Sequence, residues 1–273
     1  MSGIDDLPKR RLTDKKVEMH GKNTLVQYLV KIGLRKIPMF SDGAVFEPGE
    51  FPLAGVETSG SVLFADLPGY SRIAAEVTPV QCTYLVNHFF SWFEAEMRGL
   101  GGIVDKFIGD EIMVVFLESQ CGADPSRAAL TAAQTMLESD AYNFAPKIGV
   151  ASGPLFIACV GTRHSRSVTA IGNTVNIAAR LVGDIQHPHT IRVGVESLPL
   201  VKALFTTSTS RWSISEPFGF KAKNVGVLEV VDISRQTEWV PTFDYWEDAK
   251  KAEKLAREHG AIVVDRGQMR QDA

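Results

Sequence analysis

Three cysteines, Cys82, Cys121 and Cys159, are all that the 273-residue chain contains. The number is odd and no CxxC spacing occurs. That argues against a disulfide framework and against a thiolate zinc site, and it points to a reducing cytoplasm. No apolar run approaches the roughly 20 residues that a bilayer-spanning helix needs. The opening MSGIDDLPKRRLTDKK carries basic charge with no apolar core behind it, so it does not read as a secretory signal. Neither sign of charge is in excess: 29 Lys and Arg stand against 32 Asp and Glu, a formal net charge of −3. Bulk attraction to nucleic acid or to an anionic membrane is therefore not expected. Common nucleotide motifs are missing too. Without GxxxxGK(S/T) or GxGxxG, neither a P-loop nor a Rossmann mode of phosphate binding is supported, and there is no HExxH. The six histidines form no cluster; His187 and His189 flank a proline and read as a turn rather than a metal site.

What remains is the composition of an ordinary globular protein, long enough for one large domain with extensions. Residues 1–57 read as an N-terminal extension. Within it, NTLVQYLVKIGLRKI places apolar residues at helical spacing with Lys and Arg between them, as in an amphipathic helix that packs on the main domain or a second subunit. The Gly- and Pro-rich FSDGAVFEPGEFPLAG follows as a linker. The core, residues 58–200, opens with SVLFADL, a buried strand ending in an aspartate. Thr78 is placed to cap a helix through TPVQCTYLVNHFFSWFEAEMRGL. IVDKFI and EIMVVF flank Gly109-Asp110, the pattern of a β-hairpin with the aspartate at its turn.

SRAALTAAQTMLES and TVNIAARLVGDI are predicted helices, and KIGVASG and LFIACVG a strand pair turning at Gly153-Pro154. TIRVG and VGVLEVVDI supply later strands, with 201–235 completing the domain. Residues 236–273 read as an exposed charged helix with Glu247–Lys251 and Glu253–Arg257 pairs. Strands joined by tight turns among the helices predict an α+β domain with a mainly antiparallel sheet, not a doubly wound parallel one.

Two carboxylates follow apolar segments. Asp66 ends SVLFAD just before Leu-Pro-Gly, and Asp110 sits between IVDKFI and EIMVVF. Each alone is usually a turn residue. If the strand and the hairpin pair side by side, both project from one edge of the sheet. Two hard oxygen ligands with open positions suit Mg²⁺ or Mn²⁺, which keep coordination sites for substrate phosphates.

FADLPGYS, VDKFIGDEIMVVF and VTAIGNTVNIAARL, in this order and spacing, resemble the three signature segments of class III nucleotidyl cyclases over roughly residues 58–200. The resemblance implies a ferredoxin-like core and a reaction in which the ribose 3′-oxygen attacks the α-phosphorus and pyrophosphate leaves. Asp66 and Asp110 match the aspartates that hold two divalent cations, with the Leu67 carbonyl as a backbone ligand. Asn176 and Arg180 match the ribose-orienting and transition-state residues, and their i,i+4 spacing puts them on one helix face. In this family one domain supplies the aspartates and another the Asn and Arg, so a chain with one copy of each set implies a homodimer with two composite sites.

Lys106 and Thr169 match the base-reading positions, and Lys106 argues against guanine. No sensory, receiver or transmembrane domain is recognisable in the sequence. The whole chain is similar to the stand-alone pyrimidine (uridylate) cyclases of Pycsar antiphage systems, in which a Tyr at the position of Tyr70 helps line the nucleotide pocket. UTP is then the expected substrate and cyclic UMP the product, acting on a separate cyclic-nucleotide-responsive effector. An adenylate cyclase is the alternative. A dead cyclase-homology dimerisation module is a third reading, and the presence of Asp66, Asp110, Asn176 and Arg180 stands against it.

Overall fold

A computed structural model describes residue 25, residues 55–121, 124–140, 144–161, 166–206 and 211–235, and residues 250, 251, 253, 254, 257 and 258. Its centre is β1 (Gly55–Asp66), which pairs antiparallel with β3 (Glu111–Leu117) on one side and with β4 (Lys147–Gly161) on the other. Successive side chains of a strand point to opposite faces. Leu63 and Ala65 accordingly enter one core and Val62 and Phe64 the other. A strand buried on both faces has to be apolar throughout, and SVLFA is.

The other strands are β2 (Gly102–Ile108), β5 (Arg166–Ile171), β6 (Thr190–Gly194), β7 (Trp212–Ile214), β8 (Phe218–Ala222) and β9 (Gly226–Arg235). They join in the order β2-β3-β1-β4-β6-β9-β7, with β5 on β4 and β8 on β9. Among these pairings only β4–β6 is parallel. The domain is thus α+β with a mainly antiparallel sheet flanked by helices, as expected.

The helices are α1 (Tyr70–Glu76), α2 (Pro79–Gly99), α3 (Glu118–Cys121), α4 (Pro125–Glu138), α5 (Asn173–Gly183) and α6 (Leu198–Phe205). One face of the sheet is covered by α2, α4 and α6, through residues such as Phe89, Phe93, Leu130, Met136 and Phe205. The other is covered by α5 through Ala178, Leu181 and Val182. Leu25, the described residue of the N-terminal extension, is helical and buried in this second core. The rest of the predicted amphipathic helix lies outside the described residues. No helix of the described residues is long and apolar enough to cross a membrane.

Thr78 caps α2 in a full capping box: its hydroxyl accepts from Gln81 N at 3.2 Å and its own N–H donates to Gln81 Oε1 at 3.2 Å. The same hydroxyl donates to Glu253 Oε2 at 3.2 Å. The predicted Glu253–Arg257 pair is present at 2.8 Å. Glu253 is buried against Thr78 rather than exposed with the rest of its charged helix. Glu247 lies outside the described residues. His189 takes φ 52° in a turn, as its sequence setting implied, with Nε2 3.4 Å from Asp140 Oδ2.

Two expectations are corrected. Gly153-Pro154 is not a turn: β4 runs unbroken through it for 15 residues, in register with Ser59 and Gly60 of β1. Proline is tolerated because β6 pairs with residues 147–150 and β5 with 156–161, which leaves Pro154 no second neighbour to donate to. The partner of the LFIACVG half is instead β5, a strand not foreseen. In addition, β1 begins at Gly55, inside the segment read as linker.

The contact that seats α5 is Gly149. A Cβ there would lie 2.6 Å from Val182 N and 2.7 Å from Ala178 O, so only glycine lets the helix backbone lie this close to β4. Gly149→Ala is expected to cost about 1–3 kcal/mol. Urea denaturation against the unmodified chain measures it, and an unchanged midpoint would contradict this packing.

Candidate active site

Asp66 is the last residue of β1 and sits in register between Glu111 of β3 and Lys147 of β4. Asp110 comes from the β2–β3 turn, where Gly109 takes φ 64° so that the chain reverses in two residues. The expectation that strand and hairpin lie side by side therefore holds, and Asp110 stands close enough to Asp66 to be affected by its carboxylate. Burial and the neighbouring Asp66 push the Asp110 carboxyl up to about 7. Burial first, and Asp66 second, also raise Glu111, while Lys147 acts the other way. The Lys147 ammonium lies 2.6 Å from Asp66 Oδ2, with both side chains largely covered.

These residues fit a divalent-cation site. Burial and the neighbouring carboxylate together push Asp110 up to about 7, and a cationic side chain already sits on Asp66. The position calls for positive charge. Asp66 and Asp110 would hold the cations, and the Leu67 carbonyl, which accepts from Tyr70 N at 3.3 Å, retains a second lone pair for one.

Tyr70 opens α1 four residues after Asp66. Its hydroxyl accepts from Cys82 Sγ of α2 at 3.1 Å. Its contact with Cys82 and its burial, with smaller effects from the charges of Cys82 and Asp110, push the phenol up to about 12. It is a neutral group at any physiological pH, suited to packing or hydrogen bonding and not to proton abstraction.

Lys106 on β2 and Thr169 on β5 are brought together through a residue that was not singled out in the sequence. Asp105 accepts from Thr169 Oγ1 at 2.8 and 2.9 Å and from Ala170 N at 2.8 Å, with Lys106 Nζ 3.5 Å away. Asn176 and Arg180 are exposed on α5, one turn apart. Neither side chain has a hydrogen-bond or ion-pair partner among the described residues, so the surface salt bridge that an isolated helical Arg commonly makes is not formed.

Lys147 and Asp105 were the omissions. Asp105 lies inside the quoted VDKFIGD, but its neighbour Thr169 is 64 positions away. Lys147 opens an apolar strand, and only the β1–β4 register places it on Asp66.

A model of the adenylate and guanylate cyclase catalytic domain matches residues 56–223. An uncharacterized protein of Mycobacterium tuberculosis is 29% identical over 167 residues, 60% of this chain and 31% of that protein. A second from the same organism is 30% identical over 167 residues, 60% of this chain and 29% of the relative. The matches thus span less than a third of these relatives' length. Among solved structures, the adenylyl cyclase CyaB from P. aeruginosa aligns with TM-score 0.56 and 18% identity, over 68% of this chain and 98% of that one. The guanylate cyclase domain of RhGC from Catenaria anguillulae, in complex with GTP, aligns with TM-score 0.55 and 17% identity, over 67% and 100%. At this identity the two structures speak to the fold, which they share with the sheet and helices described above. With the domain model running from β1 through β8, the chain belongs to the adenylate and guanylate cyclase catalytic domain family, and its core is a nucleotidyl cyclase catalytic domain.

Proposed function

We infer that the chain is a metal-dependent cyclase that converts a nucleoside triphosphate, UTP by preference, to its 3′,5′-cyclic monophosphate and pyrophosphate. The observation that carries this reading is the facing pair Asp66 and Asp110 at the end of β1. Two divalent cations bound there, Mn²⁺ or Mg²⁺, supply Lewis-acid activation of the ribose 3′-hydroxyl and neutralise charge on the leaving pyrophosphate. The chain's own residues do the rest. Lys147 Nζ, 2.6 Å from Asp66 Oδ2, is the group assigned to donate to a triphosphate oxygen. Asn176 orients the ribose. Arg180 donates to the α-phosphate as charge builds on it, with no proton to lose.

Asn176 and Arg180 serve the aspartates of a second copy, which makes the working unit a homodimer with two identical sites. Two observations support that assembly: among the described residues neither side chain has a partner and both are exposed, and Phe107, Ile108 and Ile171 are exposed apolar residues on the strands that carry Lys106 and Thr169. For the base, Lys106 supplies a donor and Thr169 a hydroxyl. The pyrimidine preference rests on Tyr70, whose neutral phenol stands close enough to Asp110 to feel its charge and takes up room beside the metal aspartates. The product acts through a separate cyclic-nucleotide-responsive effector, as in the Pycsar antiphage systems that the sequence resembles.

Purified protein incubated with Mn²⁺ and each of the four NTPs separately is expected to form cyclic UMP fastest. Predominant cyclic AMP would overturn the base assignment and leave the cyclase standing. Asp66→Ala and Arg180→Ala are each expected to abolish turnover. Mixing and re-equilibrating equal amounts should restore about a quarter of the original rate, because half the dimers then hold one intact site. A mixture as inactive as its parts rules out the shared site. Lys147→Ala is expected to raise KM for the triphosphate roughly tenfold, the loss of one charge-assisted hydrogen bond. Steady-state kinetics with KM unchanged would remove Lys147 from phosphate binding.

A further inference from the structure

Between Val104 and Lys106 the β2–β3 register slips: Val104 pairs with Val114 and Lys106 with Met113, which leaves Asp105 without a partner on β3. A bulge of this kind re-aims one side chain out of the strand's alternation. Here it turns the Asp105 carboxylate inward until its side chain is 0% exposed. The carboxylate meets β5 there, accepting from the Thr169 hydroxyl through both oxygens and from the Ala170 N–H, with the Lys106 ammonium beside Oδ1.

A buried carboxylate is a costly way to join two strands. Hydrophobic residues of similar volume in such places are often neutral or stabilising. What the carboxylate adds is control of where protons lie. A threonine hydroxyl has a single proton, and a buried anion 2.8 Å away takes it. With its proton committed to Asp105, and the Ala170 carbonyl 3.3 Å away as the further acceptor, Thr169 Oγ1 can only accept from a ligand. The Lys106 ammonium has three protons; one faces Asp105, and the side chain is 37% exposed, which leaves the others for a ligand.

We propose that Asp105 is a positioning residue that fixes the hydrogen-bond polarity of the base-reading pair, with Lys106 held as donor and Thr169 as acceptor. The proposal rests on the nucleotide-binding role given to that pair above. Adenine and cytosine present an exocyclic donor beside a ring acceptor, uracil and guanine an exocyclic acceptor beside a ring donor, so a fixed donor–acceptor pair matches one order and rejects the other. Without the anion the hydroxyl is released to donate to the Ala170 carbonyl, 3.3 Å away, or to a ligand, so selectivity is lost before catalysis is.

The test measures kcat/KM for all four NTPs with Mn²⁺ in full-length D105N, T169V and the double variant. In parallel, each NTP competes against a fluorescent ribose-labelled triphosphate. D105N is expected to narrow the ratio between the best NTP and the better NTP of the opposite edge order by about tenfold, with most of the loss in KM. T169V should narrow it equally, and the double variant no further, because one interaction has been removed from either end. T169S, which keeps the hydroxyl, should restore the original ratio. If D105N does not fold, T169V and T169S carry the comparison by themselves. An unchanged base ratio in soluble D105N or T169V, with only thermal stability lowered, makes Asp105 a strand-joining residue and overturns the proposal. Base-selective binding without turnover in the unmodified chain would sink the cyclase reading while the competition data still decide the role of Asp105. No binding of any NTP would sink both.

Discussion

Two carboxylates are held against each other at the end of a strand paired along both sides, and the site is organised around their burial and mutual repulsion. Asp66 cannot move away from Asp110, because β1 is paired along both sides and packed on both faces. Burial first, and the neighbouring Asp66 second, push the Asp110 carboxyl up to about 7, where an isolated aspartate lies near 4. Nothing in folding requires this. An apolar residue at position 66 would continue the pattern of the strand, and removing the crowding would remove its cost. Local destabilisation of this sort collects where a ligand relieves it. Lys147 gives partial relief already, from the neighbouring strand.

The same strand also sets the positions of the other groups. The hairpin paired to β1 through β3 delivers Asp110 from its turn and Lys106 from β2. On the other side, β4 delivers Lys147, and two residues later Gly149 fixes the height of α5, hence of Asn176 and Arg180. β4 also carries β5 and with it Thr169. An error in the register of β1 against either neighbour would therefore misplace every group at once. Register is strongly specified here because a slip by one residue would exchange the two cores that β1 feeds.

That dependence explains how far the sequence was legible. Signals confined to a few neighbouring residues were readable: the apolar run before Asp66, the Gly109 turn, the Thr78 cap, and the i,i+4 placement of Asn176 and Arg180. Signals created by register were not. Gly153-Pro154 has the local chemistry of a turn, and only the gap between β5 and β6 makes an extended proline acceptable there. Lys147 looks like any charged residue at a strand's start until β1 places it on Asp66. Asp105 reads as the polar member of an alternating strand, whereas the bulge sends it inward to residues 64 and 65 positions away. Glu253 likewise belongs to a helix charged on most sides, and its burial comes from Thr78, 175 positions earlier.

The geometry of α5 bears on why one chain does not complete the arrangement alone. Thr174, Ala178, Leu181 and Val182 are its buried residues, and they face the sheet. At about 100° per residue, Asn176 and Arg180 fall roughly 145–175° round the helix from the middle of that set. Both therefore point away from the sheet whose strands carry Asp66 and Asp110. Turning them inward would need α5 to rotate and expose Ala178 and Leu181, while Gly149 would no longer meet the backbone that it was kept small to admit. The helix is locked in the outward setting by its own packing. On the proposed reading, whatever Asn176 and Arg180 act on approaches from outside this sheet, and a second copy of the same chain, bringing its own facing aspartates, is the proposed partner.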